Sequence, residues 1–145
     1  MNIPPDSMYR SKKDMISSIK ISLAGRAAEE IIFGEEHITT GAGNDIEKAT
    51  EILMAMVKQF GMSQKMGILN YKILQGSNGI DQETLAECRK LIEFYYEESK
   101  RLLIDNLELL KRITNGLLDR ETLNEDDIDT ILSSFFKIKN KSIVL

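Results

Sequence analysis

Apolar residues recur at Ile16, Ile19, Leu23, Ala27 and Ile31, three or four apart, so they share one face of a helix. The preceding Ser11-Lys-Lys-Asp14 carries the hydroxyl and the acid of a capping box. Together they predict a helix from Ser11 to Phe33, stopped by Gly34. A connection over Glu35–Gly43 leads to a second stripe, Ile46, Ala49, Leu53, Met56, Val57 and Phe60, with Asn44 as its expected cap and Gly61 as its expected end. Periodicity then fails. Gly67, Gly76 and Gly79 punctuate the stretch from Met62 to Ile80, which reads as mostly loop, with Ile68–Leu74 as a candidate short extended segment.

From Asp81 helical spacing returns through Leu85, Cys88, Ile92, Tyr95 and Leu102, and again through Leu107, Leu110, Ile113 and Leu117. Two antiparallel helices that break near Asp105-Asn106 are expected, Gly116 weakening the second. Asn124-Glu-Asp-Asp127 caps a last short helix with Ile128, Ile131, Leu132 and Phe135 inward. The fold class is all-α, a helical bundle of about five helices. It forms a single domain over 1–145, with a helical pair over 11–62 and a helical hairpin plus a short C-terminal helix over 81–136.

With 42% hydrophobic and 29% charged residues the chain has the balance of a folded domain, and its 145 residues are enough to bury a core without disulfides. A net charge of −4 offers no footprint for a phosphate backbone, and the one basic cluster, Lys137-Ile-Lys-Asn-Lys141, is short, so nucleic acid is not an expected partner. Cys88 stands alone, which excludes an internal disulfide and fits a reducing, cytoplasmic setting. No apolar run reaches the length of a membrane span, and direct membrane insertion is not expected.

Chemistry concentrates in Leu23-Ala-Gly-Arg-Ala-Ala-Glu-Glu-Ile-Ile-Phe-Gly34 and Thr39-Thr-Gly-Ala-Gly-Asn-Asp-Ile46. Asp45 falls in the first turn of its helix, where free N–H groups and the dipole stabilise an anion. It reads either as a capping acid or as a metal-ligating carboxylate held in a fixed direction by the glycine turn. Glu29 and Glu30 lie late in the first helix, against the dipole. Glu29, beside the apolar positions Ala27 and Ile31, is the candidate inward acid, and Glu30 is expected to be solvated. His37, the only histidine, reads as a surface residue. The 145 residues contain no His-Glu-x-x-His, and Gly41-Ala-Gly43 lacks the following Gly-Lys-Ser/Thr of a phosphate loop. Met54, Met56, Met62 and Met66 read as packing residues.

These two segments, with Gln59-Phe-Gly-Met-Ser-Gln-Lys-Met-Gly67 and Glu121-Thr-Leu-Asn-Glu-Asp-Asp-Ile128, closely resemble the C-terminal part of the peptidase domain of FtsH-type ATP-dependent zinc metalloproteases. The resemblance runs from about Ile3 to Phe135 and is weakest over Gly67–Ile80, where the chain looks shorter than its relatives. In that family two histidines of His-Glu-x-x-His and a later aspartate hold zinc, while the motif glutamate activates water. The motif match implies that Asp45 is the third zinc ligand and that Glu29 lies close to the metal site. It also implies that the transmembrane segments, the AAA ATPase module that uses ATP, and the His-Glu-x-x-His segment would lie before Met1.

On this reading no catalytic residue lies within the chain, which is expected to be inactive alone, while the complete protein is a membrane-anchored metalloendopeptidase with this domain in the cytoplasm. The alternative is a non-enzymatic interaction module, either a homo-oligomer or a chain that binds an intact FtsH-like homologue or a companion chain. Without the upstream segment, Ile3, Ile16, Ile19 and Leu23 are expected to be uncovered and to drive such association. Asp45 and Glu29 are expected to approach one another, both partly exposed.

Overall fold

The Ser11 hydroxyl accepts the N–H of Asp14 at 3.0 Å, and the Asp14 carboxylate accepts the N–H of Ser11 at 3.2 Å. The capping box thus opens helix α1, Lys12–Phe33. The structure, a computed structural model, describes residues 9–109 and 111. At the far end Gly34 adopts φ +89°, a backbone conformation that a side chain would strain, and the helix stops there as expected.

Two short 3₁₀ turns, Glu35–His37 and Thr40–Ala42, carry the chain into α2, Gly43–Met54. Asn44 is therefore not the cap. Ala42 already has φ −68° and ψ −8°, and the extended residue at the entrance is Thr39, so Asn44 falls inside the first turn. At its other end α2 runs into a π turn, Ala55–Gln59, in which the Phe60 N–H reaches the Ala55 carbonyl at 2.9 Å. Gly61, at φ +60°, ends this element, and a Cβ there would sit 3.3 Å from the Gly67 carbonyl oxygen.

Helix α3, Tyr71–Gln75, replaces the extended segment expected around Ile68–Leu74, and no strand occurs among the described residues. Asn70 supplies the reason, since its side-chain oxygen accepts the Ile73 N–H at 3.0 Å and nucleates one helical turn. Asp81 caps α4, Gln82–Asp105, by accepting the Thr84 N–H at 2.8 Å. The break at Asp105-Asn106 is observed, with the Asn106 amide donating to the Leu102 carbonyl at 2.9 Å and helix resuming at Leu107. Leu110, Ile113, Gly116, Leu117 and the helix from Asn124 lie outside the described residues.

Helix α1 is the shared wall, packed against both α2 and α4. Along its first half Met15, Ile19 and Leu23 meet Leu53, Met56 and Val57, with Tyr95 of α4 in the same cluster. Each fully buried side chain of this size contributes about 1.5–3 kcal/mol. Along its second half the side chains shrink to Ala24, Ala27 and Ala28, which lets α4 approach closely enough to bury Leu103 completely. The Ser99 hydroxyl, also fully buried, donates to the Lys20 carbonyl at 3.1 Å across this contact.

Ile19 and Leu23 are thus covered by the chain's own helices and Ile16 is partly buried, contrary to the expectation that they are left open; Ile3 lies outside the described residues. Large exposed apolar side chains occur elsewhere, among them Ile32, Phe33 and Ile46, Phe60, Phe94 and Ile104, and four between Ile68 and Leu74, where Ile68 is 94% exposed.

Candidate metal-ligating site

Glu29 projects from the last turns of α1, where a carboxylate faces the negative end of the dipole. Two hydrogen bonds offset that placement: the Thr39 N–H donates to Oε2 at 3.2 Å and the Thr39 hydroxyl to Oε1 at 2.9 Å. Thr39 is the extended residue that leads into the Thr40–Ala42 turn. Glu29 therefore fixes the start of the segment that delivers Asp45, and its partners belong to the backbone and hydroxyl of that segment.

Asp45 lies in the first turn of α2, as the sequence indicated. It is only 8% exposed, whereas partial exposure was expected; Glu29 is the partly exposed member of the pair. An acid so placed sits where the helix end favours negative charge, which lowers the cost of burying it. His37 is exposed on the neighbouring 3₁₀ turn.

Glu30 departs from the solvated role expected of it. Tyr96 donates its hydroxyl proton to Glu30 Oε2, and Lys100 donates to Oε1 at 3.0 Å, joining α1 to α4. The Tyr96 hydrogen bond first, and the Lys100 bond next, hold the Glu30 carboxyl below the ordinary glutamate value. Burial, reinforced by the Glu30 carboxylate that accepts its proton, raises Tyr96 far above an ordinary phenol. The signal for this triad was present only as the spacing of Tyr96 and Lys100, four apart on one face of α4.

Zinc asks for about four nitrogen, sulfur or oxygen donors at close range. Among the described residues no group of three His, Cys, Asp or Glu is arranged to hold a metal ion. A single carboxylate such as that of Asp45 would offer one oxygen donor, so the described residues by themselves do not make up a zinc site. No described helix is long and apolar enough to cross a membrane.

The profile of Peptidase family M41 matches residues 1–131. The chain is 49% identical over 136 residues to the ATP-dependent zinc metalloprotease FtsH 1 of Alkaliphilus metalliredigens, covering 93% of this chain and 23% of that protein. It is 45% identical over 131 residues to the ATP-dependent zinc metalloprotease FtsH of Lachnoclostridium phytofermentans, covering 90% of this chain and 22% of that protein. The mitochondrial inner membrane m-AAA protease component yta12 of Schizosaccharomyces pombe is 35% identical over 137 residues, 90% of this chain and 18% of its own length. The chain thus spans less than a quarter of the curated relatives it matches. It belongs to Peptidase family M41.

Proposed function

We propose that this M41 chain is the part of an FtsH-type peptidase domain that contributes Asp45, the third ligand, to a zinc ion whose two histidine ligands come from a His-Glu-x-x-His segment outside these 145 residues. In the complete assembly the activity is ATP-driven, zinc-dependent proteolysis; the 145 residues alone hydrolyse neither ATP nor protein. The observation that carries the reading is a motif aspartate buried in the first turn of α2 at the end of a turn held by Glu29. A ligand needs that fixed direction. Glu29 acts as a positioning residue through Thr39.

A second reading, that the chain is an interaction module for an intact homologue or a companion chain, draws support from the exposure of Ile32, Phe33 and Ile46, at the end of α1 that carries Glu29 and beside Asp45 on α2. The two readings converge if the companion supplies the missing histidines. Mixing the chain with a polypeptide that carries a His-Glu-x-x-His segment should create a zinc site, measured by equilibrium dialysis. Asp45→Ala should weaken it by more than roughly tenfold. Zinc affinity unchanged by that substitution would show that Asp45 is no ligand.

A further inference from the structure

A cleft of about 340 Å³ opens between the start of α1, the π turn, the Ser63–Lys65 segment and α4, a volume that suits a small ligand. Val57, on its wall, follows Asp45 by roughly 18 Å of helix, so the cleft is separate from the candidate metal site. Its charged lining is one acid, Glu87, and three bases, Lys12, Lys65 and Lys90. Met62, Leu91 and Tyr95 contribute apolar wall.

Glu87 is the unusual member. Its side chain is 6% exposed, and its Oε2 accepts no hydrogen bond. The Lys65 ammonium forms an ion pair with Oε2 at 3.9 Å, too long for a hydrogen bond. A buried carboxylate oxygen without a donor is costly and asks for one. Oε2 has no exposed surface as it stands, but Glu87 lines the cleft and the terminal torsion of a glutamate is soft, so a rotation of the side chain brings an oxygen to a ligand there.

These groups restrict the ligand by elimination. A simple anion meets the Glu87 carboxylate, a simple cation meets three ammonium groups, and a purely apolar ligand leaves Glu87 unsatisfied. What fits is a molecule with an N–H donor and a carboxylate a few bonds apart and an apolar arm between them. The three exposed lysines outnumber the single acid, which favours a ligand with net negative charge over a zwitterion.

We propose that this cleft binds the carboxyl-terminal residue of a peptide ending in an apolar side chain. The terminal carboxylate takes the lysines at the rim, the last amide N–H donates to Glu87, and the side chain lies against Leu91 and Tyr95. The proposal does not depend on the zinc reading, and its test involves no metal.

N-acetyl-L-leucine, L-leucine and N-acetyl-L-leucinamide are titrated into the full 145-residue chain and followed by amide NMR shifts. N-acetyl-L-leucine is expected to saturate with a dissociation constant on the order of 1 mM, moving the amides of residues 63–65 and 87–91. Capping the carboxylate as the amide, or substituting Glu87→Met, should weaken binding roughly tenfold or more. Lys90→Met, on the exposed rim, should also weaken binding and serves if the buried substitution does not fold. No saturable shift, equal binding of the amide, or binding indifferent to Lys90→Met overturns the proposal. Tighter binding of L-leucine than of N-acetyl-L-leucine overturns the peptide terminus as the source.

Discussion

Lys58 is 2% exposed, an unusual place for an ammonium, and replacing it by methionine tests what holds it there. Its Nζ donates to the Gly76 carbonyl at 3.0 Å and to the Gly79 carbonyl, pinning the loop between α3 and α4 onto the π turn. Methionine fills nearly the same volume, so the cavity contribution is small and the lost hydrogen bonds dominate. Two bonds from a charged donor contribute about 3–6 kcal/mol. Against this stands the desolvation of the ammonium, several kcal/mol at full burial. Water can rehydrate the exposed Gly76 carbonyl, whereas Gly79 is partly buried. The net expectation for Lys58→Met is a loss of about 1–3 kcal/mol.

For a chain of this length that loss lowers the thermal midpoint by roughly 3–10 °C. It should also have a local signature. Amide exchange over residues 76–80 should accelerate more than exchange in the α1–α2 contact, because the tether is lost while the core remains. Calorimetry and hydrogen exchange on the same sample measure both. A raised midpoint with unchanged exchange at 76–80 would mean that the ammonium is a net burial cost and that the loop is held by something else.

Two further outcomes follow from the ionisable groups. The folded-state value of Glu30 is depressed by Tyr96 and Lys100, so its contribution to stability is present above its unfolded value and is lost as pH falls through the folded one. With the side chain 23% exposed and the ion pair partly screened, Glu30→Gln should cost about 1 kcal/mol at neutral pH. The difference in urea midpoints should close as pH falls through that depressed value, and a difference that persists in stronger acid would place its cause outside ionisation. Burial first, then the charge of Glu87, pushes the Cys88 thiol up. Alkylation by iodoacetamide should therefore be slow in the native chain and fast in urea, and equal rates would contradict its place in the core.

Caps and stops were the most legible part of the sequence, because each is a local agreement between one side chain and the nearest free backbone groups. Ser11 with Asp14, Gly34 and Gly61 act where the residues placed them, whereas the expected cap Asn44 falls inside α2 because the preceding 3₁₀ turn already leads into the helix. Faces were less legible. The second stripe assumed constant helical turning from Ile46 to Phe60, but a π turn advances less per residue. That turn keeps Lys58 inside with Met56 and Val57 and leaves Phe60 outside, 52% exposed. No feature of Ala55–Gln59 announces the change in register. On α4 an apolar stripe through Leu85 was expected, yet the buried positions include Thr84, Glu87 and Ser99. Reading only apolar residues conceals polar positions on that face, such as Ser99, whose partner is the Lys20 carbonyl of another helix.

The adjacent glutamates of α1 carry the same lesson to the candidate site. Both oppose the helix dipole, and the last turn of α1 has no basic residue to offset them. Local preference singles out the pair but cannot say which way each acid turns, since the answer depends on elements ten and about seventy residues away. In the fold Glu29 turns to Thr39 and Glu30 to Tyr96 and Lys100. One end of α1 is thereby tied on one side to the turn that precedes α2 and on the other to α4. The placement of Asp45 then rests on α1 as much as on α2: loosening Glu30 from α4 should disturb the Thr39 turn through its neighbour Glu29, without touching Asp45 directly.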